Sequence, residues 1–286
     1  MMDRKYFEIA TDVAWCPGCG NFGLRNIVID AMTELNLSKN NLCFVSGIGQ
    51  AAKSPQYYDV SYFNGLHGRA LPSATGIKAA NPDIKLIVES GDGDMYGEGG
   101  NHFIHTIRRN PDMTVIVHNN MVYGLTKGQA SPTSGQGMKT PIQTEGVNSI
   151  PLNPVALAIV MGATFVARGS VGERDKTKEI IKAAISHKGF ALVDVFQACV
   201  SFNKINTHKW YKENTVLIPD THPIDDKLKA LSLAFSESPW PLGIFYKVEG
   251  FKTFEDSLPV YEQSRDPLYK RTMSMDILKE IMSQKK

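Results

Sequence analysis

Short apolar runs alternate with segments of helical periodicity through the first 200 residues of the chain. Five runs have the length and composition of buried strands, at residues 42–46, 84–90, 113–118, 164–168 and 190–197. Helical spacing of apolar positions, or a stop at Asn-Pro, predicts helices at residues 22–35, 70–80, 99–109, 154–161 and 173–187. Strands that alternate with helices indicate an α/β fold, with a parallel sheet covered by helices on both faces.

This alternation ends near residue 200, beyond which Pro, Lys and aromatic residues are frequent. We therefore predict an α/β domain over residues 1–200 and a C-terminal extension over residues 201–286. The extension would pack on the domain or reach a partner chain. Residues 130–152 are polar and rich in Ser, Thr, Pro and Gly, and a loop of this length inside a compact domain is usually functional.

Two predicted strand ends carry residues that suit a metal ion and a phosphate. Gly91-Asp-Gly-Asp94 follows one apolar run, and Asn119-Asn120 follows the next. Adjacent strand ends of an open α/β sheet share one crevice, so Asp92 and an Asn amide can meet on one Mg²⁺ or Ca²⁺. The glycines let the backbone approach a diphosphate. Gly and Asp also crowd ordinary turns, but the paired pattern resembles the diphosphate–Mg²⁺ motif of thiamine-diphosphate enzymes.

A second candidate site contains cysteines. Cys16 and Cys19 lie at C-x₂-C spacing in a Gly/Pro turn, where two thiolates can converge on zinc or an iron–sulfur cluster. A redox pair is the competing chemistry, but such a pair normally opens a helix after a strand, and no predicted strand precedes this one. Cys199 follows the last clear strand and is a good third ligand. Cys43 lies inside an apolar run and is expected to face the core.

Two further side chains are candidates for binding an anion. His67 lies between glycines in Gly65-Leu-His-Gly-Arg69 and could donate to a phosphate or a substrate. Lys53 follows a glycine-rich strand end and could bind a carboxylate. The ordinary alternatives are a structural histidine and a solvated lysine.

Composition and charge exclude several classes of function. The chain has 286 residues and a net charge of +2, so no strong basic field indicates nucleic acid. No apolar run approaches the ~20 residues that cross a bilayer, and the N-terminal residues do not resemble a targeting peptide. We expect a cytoplasmic protein whose four cysteines are thiols or metal ligands rather than disulfides.

Several motifs, in the same order, resemble the β subunit of 2-oxoacid:ferredoxin oxidoreductases over about residues 10–250. They are Trp15-Cys-Pro-Gly-Cys-Gly, Ser46-Gly-Ile-Gly, Leu66-His-Gly-Arg-Ala, Gly91-Asp-Gly-Asp, Arg108-Arg-Asn and the segment 122–133. The resemblance implies the thiamine-diphosphate-binding fold of the pyrophosphate-binding type. It also implies oxidative decarboxylation of a 2-oxoacid, with thiamine diphosphate as the electron sink. Electrons would pass through iron–sulfur centres to ferredoxin, and coenzyme A would take the acyl group.

The resemblance also assigns roles to residues of this chain. Asp92 and Asn120 would be side-chain ligands of Mg²⁺, and the backbone carbonyl of Val122 would be a third. Cys16, Cys19 and Cys199 would be ligands of a [4Fe–4S] cluster. The residues expected at thiamine diphosphate are Ile48, Gly49, His67, Gly91, Asp92, Gly93, Asp94, Asn120, Val122, Gly124, Leu125 and Thr126. The candidate catalytic residues, the last three of them near the 2-oxoacid, are His67, Lys53, Leu125 and Lys127.

This chain departs from the family at one position. Many relatives have a cysteine after Ser-Gly-Ile-Gly, whereas this chain has Gln50. The cluster could then have three cysteines with a non-protein or Gln ligand, could be labile, or could be missing. The glutamate that activates the aminopyrimidine in this family is supplied by another subunit or domain, and no glutamate here has a comparable setting. We therefore expect a chain that needs an α subunit, as an αβ pair or its dimer.

The substrate and the direction of the reaction follow less directly from the sequence. The Gly-Ile-Gly-Gln-Ala-Ala-Lys variant and the chain length favour 2-oxoglutarate, with succinyl-CoA and CO₂ as products. Pyruvate and branched-chain 2-oxoacids are the alternatives, and the reaction could also run reductively to fix CO₂. A non-redox thiamine-diphosphate decarboxylase or carboligase is the alternative class, and the cysteine set argues against it.

Overall fold

A computed structural model describes residues 3–272 and 274–285 of the chain. The strands are β1 (Leu42–Ser46), β2 (Ser61–Asn64), β3 (Lys85–Gly91), β4 (Met113–Asn119), β5 (Phe165–Ser170), β6 (Phe190–Phe196), β7 (Thr215–Leu217) and β8 (Trp240–Lys247). The α-helices are α1 (Gly20–Glu34), α2 (Ala70–Ala80), α3 (Gly100–Arg109), α4 (Pro154–Met161), α5 (Arg174–Ser186), α6 (His208–Asn214), α7 (Lys227–Ala234) and α8 (Met275–Gln284).

The strands form one mostly parallel sheet in the order β2-β1-β3-β4-β6-β5-β8-β7. Strand β8 runs antiparallel to β5, and the other neighbouring pairs are parallel. The five strands expected from apolar runs are all present, which confirms the predicted α/β class. Their sequences are continuous apolar runs because both faces of a parallel sheet are covered.

Helices pack on both faces of the sheet and form two separate hydrophobic cores. Successive residues of β3 alternate between them: Leu86 and Val88 pack with α2, α3, α4 and α7, and Ile87 packs with α1 and α5. This alternation is the period of two that a strand imposes on its side chains. The helices that were expected from apolar spacing therefore form the two outer layers of a three-layer domain, with the sheet between them.

The C-terminal residues enter the sheet, which the apolar pattern did not show. Strands β7 and β8 extend it on one side, and α7 packs in the core against β8 and α4. Pro241 and Gly243 interrupt the apolar pattern of β8, and such residues weaken a strand assignment. The proposed boundary at residue 200 stays a prediction, although Thr215–Leu217 and Trp240–Lys247 of the extension join the sheet of the domain.

Three other segments complete the framework of the site. The exposed strand β2 pairs with β1 at the other edge of the sheet, where only an irregular aromatic segment was expected. Residues 130–152 contain no helix or strand, as their composition predicts. A single π-helical turn, Gly93–Glu98, lies between β3 and α3, and such turns are frequent at functional sites.

None of the described helices is long and apolar enough to cross a membrane.

Candidate active site

A cleft of about 100 Å³ opens at the carboxyl ends of β1, β3 and β4, where ligands bind in open α/β sheets. All twelve residues expected at thiamine diphosphate line it, together with Gln50, Ala51 and Tyr123. Two expected catalytic residues, Lys53 and Lys127, are not among the lining residues. Leu125 lies on the rim with 43% of its surface exposed. The cleft therefore brings together loops that are far apart in the sequence.

Asp92 is the buried carboxylate of this cleft. Its Oδ2 accepts hydrogen bonds from the hydroxyls of Ser131 at 2.5 Å and Thr133 at 2.7 Å. Burial raises the pKa of Asp92 to about 6, against the opposing effect of these two hydroxyls. A buried carboxylate needs a compensating positive charge, and an oxygen ligand suits a hard divalent cation. The site around Asp92 therefore fits Mg²⁺.

Two asparagines from the end of β4 flank Asp92 in different ways. Asn120 lines the cleft, and its Oδ1 accepts a hydrogen bond from the backbone N–H of Val122 at 3.0 Å. Asn119 points into the domain, where its Oδ1 lies 3.0 Å from Thr133 Oγ1. The two residues thus have different roles, because Asn120 faces the cleft and Asn119 contacts the Thr133 hydroxyl that donates to Asp92.

Asp94, in the loop after β3, joins two other loops that line the cleft. Its Oδ1 accepts hydrogen bonds from the backbone N–H groups of Ile48 at 3.0 Å and Gly68 at 2.8 Å. The hydroxyl of Ser90 donates to Oδ2. A Cβ on Gly47 would overlap the carboxylate, so only glycine fits there. Asp94 therefore lines the cleft while its oxygens hold the loops after β1 and β2.

His67 is held by the same carboxylate. Its Nδ1 lies 2.7 Å from Asp94 Oδ1 and 3.5 Å from Glu98 Oε2. A partner on one ring nitrogen fixes the orientation of the ring and leaves the other nitrogen for a ligand. His67 is 38% exposed and lines the cleft, so Nε2 is available to a bound molecule.

Tyr123 closes the cleft from the loop after β4. Its hydroxyl donates to the carbonyl of Gly93 at 3.1 Å and to Glu98 Oε2 at 3.0 Å. Its ring covers Gly93 so closely that a Cβ there would overlap it. The second glycine of the Gly-Asp-Gly motif thus makes room for this ring.

A buried polar network behind Asp92 was missed in the sequence. Asn119 Nδ2 donates to both oxygens of Asp194 at 3.2 Å, and Tyr96 donates to Oδ1 at 2.9 Å. The guanidinium of Arg168 lies 3.6 Å from Asp194 and 5.0–5.4 Å from the ring centroids of Phe196, Trp240 and Phe245. The sequence does contain one indication of this network, since Asp194 is a charged residue inside the apolar run at 190–197. A buried charge needs partners that compensate it.

The cysteine motifs meet in a second, smaller cavity beside the cleft. Cys16, Cys19 and Cys199 all line it, and all four cysteines of the chain are free thiols. Burial raises the pKa of Cys19 to about 11, and the neighbouring Cys199 and Cys16 also act to raise it. The thiol of Cys43 lies elsewhere, buried on β1 and bonded to the Phe44 carbonyl.

The cavity and the cleft are adjacent, since Gln50, Asn120 and Gly124 line both. Within residues 3–272 and 274–285, no group of three or more His, Cys, Asp or Glu side chains is arranged to hold one metal ion. The ligands of an iron–sulfur cluster need not converge on one metal ion, because they bind different irons.

Comparisons with known proteins agree on one family. Residues 45–195 match the family described as "Thiamine pyrophosphate enzyme, C-terminal TPP binding domain", and residues 199–263 match the C-terminal part of the "Pyruvate ferredoxin oxidoreductase beta subunit". The 2-oxoacid:ferredoxin oxidoreductase subunit beta of Saccharolobus solfataricus is 46% identical over 272 residues, which cover 89% of this chain and 87% of that protein. The 2-oxoglutarate synthase subunit KorB of Methanocaldococcus jannaschii is 39% identical over 210 residues, 71% of this chain and 78% of that protein.

A solved structure is similar over the whole chain. It is the 2-oxoglutarate:ferredoxin oxidoreductase of Magnetococcus marinus, with 2-oxoglutarate, coenzyme A and succinyl-CoA bound. The TM-score is 0.92 at 36% identity, covering 100% of this chain and 96% of that one. With the sequence relatives, this similarity confirms the expected resemblance: the chain belongs to the β subunits of the 2-oxoacid:ferredoxin oxidoreductases.

Proposed function

We propose that this chain binds thiamine diphosphate and Mg²⁺ in an enzyme that oxidatively decarboxylates 2-oxoglutarate to succinyl-CoA and CO₂, with ferredoxin as electron acceptor. One observation carries the proposal. The cleft that collects all twelve expected cofactor residues shares three lining residues with the cavity that collects the three cysteines. Carbon chemistry and electron exit would then occupy neighbouring sites in one polypeptide.

The residues at the strand ends would hold the cofactor. Asp92 and Asn120 would ligate Mg²⁺ through side-chain oxygens and Val122 through its carbonyl, and the cation would neutralise the diphosphate. Gly91 has no side chain at the floor of the cleft, so the phosphates could approach its backbone closely. Thiamine diphosphate, once bound, supplies the electron sink for decarboxylation.

His67 would act on a proton at the reacting end of the cleft. Asp94 fixes its Nδ1 at 2.7 Å, which leaves Nε2 to donate to or accept from the substrate oxygen. Leu125, on the exposed rim, would shield the reacting atoms from water. The chain's own contribution is thus orientation, proton transfer and exclusion of solvent.

The cysteine cavity would hold a [4Fe–4S] cluster with Cys16, Cys19 and Cys199 as ligands. The thiols fit such a group, because they converge from two segments that are about 180 residues apart in the sequence and lie beside the cleft. Burial also raises the pKa of the Cys19 thiol to about 11, so cluster binding would displace a proton from this thiol.

2-Oxoglutarate is the favoured substrate. The relatives from Methanocaldococcus jannaschii and Methanothermobacter thermautotrophicus are named 2-oxoglutarate synthase subunit KorB. The similar solved structure has 2-oxoglutarate and coenzyme A bound. Lys53 and Lys127 are the residues that we assign to its carboxylates, although they stand outside the lining of the cleft. Pyruvate and branched-chain 2-oxoacids are the competing substrates, since either lysine could bind the carboxylate that all 2-oxoacids share.

An α subunit would complete the site, in an αβ pair or its dimer. The lining of the cleft includes no glutamate, although the family chemistry needs one at the aminopyrimidine. Ile48 and Leu125, which are 39% and 43% exposed, stand at the open side of the cleft where a partner could cover them. The cytoplasmic location expected from the sequence remains a prediction.

The test is a substrate panel on the αβ complex and on this chain alone. We expect coenzyme-A-dependent reduction of ferredoxin by the complex, fastest with 2-oxoglutarate, and none by the isolated chain. Asp92→Asn should abolish it, while Asp220→Asn, at a residue whose side chain is 98% exposed, should not. Release of CO₂ without reduction of ferredoxin would instead support a non-redox decarboxylase or carboligase. Faster turnover of pyruvate would correct the substrate.

A further inference from the structure

Gln50 stands between the cleft and the cysteine cavity, and its side chain has an unused acceptor. The residue lines both spaces, and its Oε1 is buried without a hydrogen-bond partner. The backbone is fixed next to the cysteine turn, because Trp15 Nε1 donates to the Gln50 carbonyl at 2.9 Å. A buried polar atom without a partner costs free energy. A group bound in the cavity could supply the missing partner of this oxygen.

The other side-chain oxygens of the cavity are less suited to that task. Asn21 Oδ1 lies 2.9 Å from His118 Nδ1, and Asn120 Oδ1 accepts from the Val122 N–H. The fourth thiol of the chain, Cys43, lies outside the cavity and contacts the Phe44 carbonyl. Ser201 also lines the space, but on the segment that already supplies Cys199. Three thiols and Gln50 therefore line it from separate segments, around residues 16–19, 50 and 199, and Gln50 alone among the lining residues has a buried side-chain oxygen without a hydrogen-bond partner.

We propose that Gln50 Oε1 ligates the fourth iron of a cluster whose other three irons take Cys16, Cys19 and Cys199. This inference rests on the proposed cluster and names the ligand that the cysteines do not supply. An amide oxygen is a harder and weaker ligand for this kind of iron than a thiolate. The iron held by Gln50 would therefore be the labile iron of the cluster.

Two measurable properties follow from this ligand set. A neutral amide in place of a thiolate makes the cluster less negative, and the reduction potential rises with that change. Oxidation should also expel the weakly held metal. Ferricyanide takes one electron from [4Fe–4S]²⁺, and the resulting [4Fe–4S]³⁺ releases Fe²⁺ and leaves [3Fe–4S]⁺.

The experiment compares three versions of the αβ complex, purified anaerobically: the natural chain, Gln50→Cys and Gln50→Ala. Cys199→Ala provides the baseline, because subtraction of its spectrum removes signals from clusters on other subunits. Iron, acid-labile sulfide, EPR spectra and the reduction potential are measured before and after a brief exposure to ferricyanide. Elution as the intact complex shows that each variant is folded.

We expect the natural chain to lose about one of four irons on oxidation and to show the near-isotropic EPR signal of [3Fe–4S]⁺. Added Fe²⁺ under reducing conditions should restore the fourth iron. Gln50→Cys should keep all four irons and titrate at a lower potential. Gln50→Ala should lose the fourth iron more readily than the natural chain.

Two other results would overturn the inference, and they are distinguishable. If Gln50→Ala matches the natural chain in iron loss, EPR signal and potential, Gln50 is not a ligand, and the proposed cluster still stands. If the natural chain holds no more iron than Cys199→Ala, both the cluster and its Gln50 ligand are refuted, whether or not Gln50→Cys gains iron.

Discussion

Asp94 offers the sharpest test of how the cleft is built. Its Oδ1 accepts from the backbone N–H groups of Ile48 and Gly68, which belong to the loops after β1 and β2. Hydrogen bonds to a charged group contribute about 1.5–3 kcal/mol each. Asp94→Ala should therefore remove about 3–6 kcal/mol of local stability from these loops. Asp94→Asn retains an oxygen for both backbone donors, but it loses the charge and replaces the oxygen that accepts from Ser90 with an NH₂ group.

Hydrogen exchange of the αβ complex measures this difference directly. Because about 1.4 kcal/mol corresponds to a factor of ten, Asp94→Ala should speed exchange in peptides covering residues 47–69 by ~100-fold or more. Asp94→Asn should speed it by about tenfold or less. Asp12→Ala, at an exposed position, serves as the control and should leave these peptides unchanged.

The expected order of the variants could be wrong in two ways. Exchange in Asp94→Ala at the natural rate would mean that the loops do not depend on this carboxylate. Equal effects of Asn and Ala would mean that the charge beside His67, rather than the pair of backbone hydrogen bonds, holds the loops.

Three other changes test the surroundings of the cleft. Thr133→Val removes a hydroxyl from Asp92 and should weaken Mg²⁺ binding by about tenfold in a titration, while Thr75→Val on α2 should not. Tyr123→Phe keeps the ring over the Gly-Asp-Gly turn, so thermal stability should change by less than about 1 kcal/mol, while the Kd for thiamine diphosphate should rise several-fold. Burial raises the pKa of Glu89 to about 8, so the folded chain takes up a proton and stability is lost as the pH rises towards 8. Glu89→Gln should therefore raise the melting temperature of the complex at pH 8 and flatten its pH dependence. A lower melting temperature at that pH would contradict the assignment.

The framework of the fold was visible in the sequence because parallel strands covered on both faces are continuous apolar runs. Strand β2 was missed because its side chains are exposed at the edge of the sheet, and β8 was missed because Pro241 and Gly243 interrupt it. In both cases the segment is a strand because it pairs with a neighbouring strand, and its own sequence does not show that pairing.

The candidate site could be predicted from the sequence only where both contacting residues belong to recognisable motifs at strand ends. Gly-Asp-Gly and Asn-Asn each follow a strand, so their meeting at one sheet edge could be inferred. The hydrogen bond from Thr133 to Asp92, and the contacts of Asn119 with Thr133 and Asp194, could not be inferred. They depend on how the long polar loop folds back over the strand ends. The partner of Asp194, Arg168, comes from yet another strand.

The central claim is that electrons from the 2-oxoacid leave through the cysteine cavity of this chain. Freeze-quench EPR on the αβ complex, mixed with 2-oxoglutarate and coenzyme A, tests it most directly. We expect a reduced-cluster signal to appear during turnover in the natural complex and to be absent in Cys199→Ala, while the variant still binds thiamine diphosphate. The same signal, at the same rate, in Cys199→Ala would show that the electrons take another route.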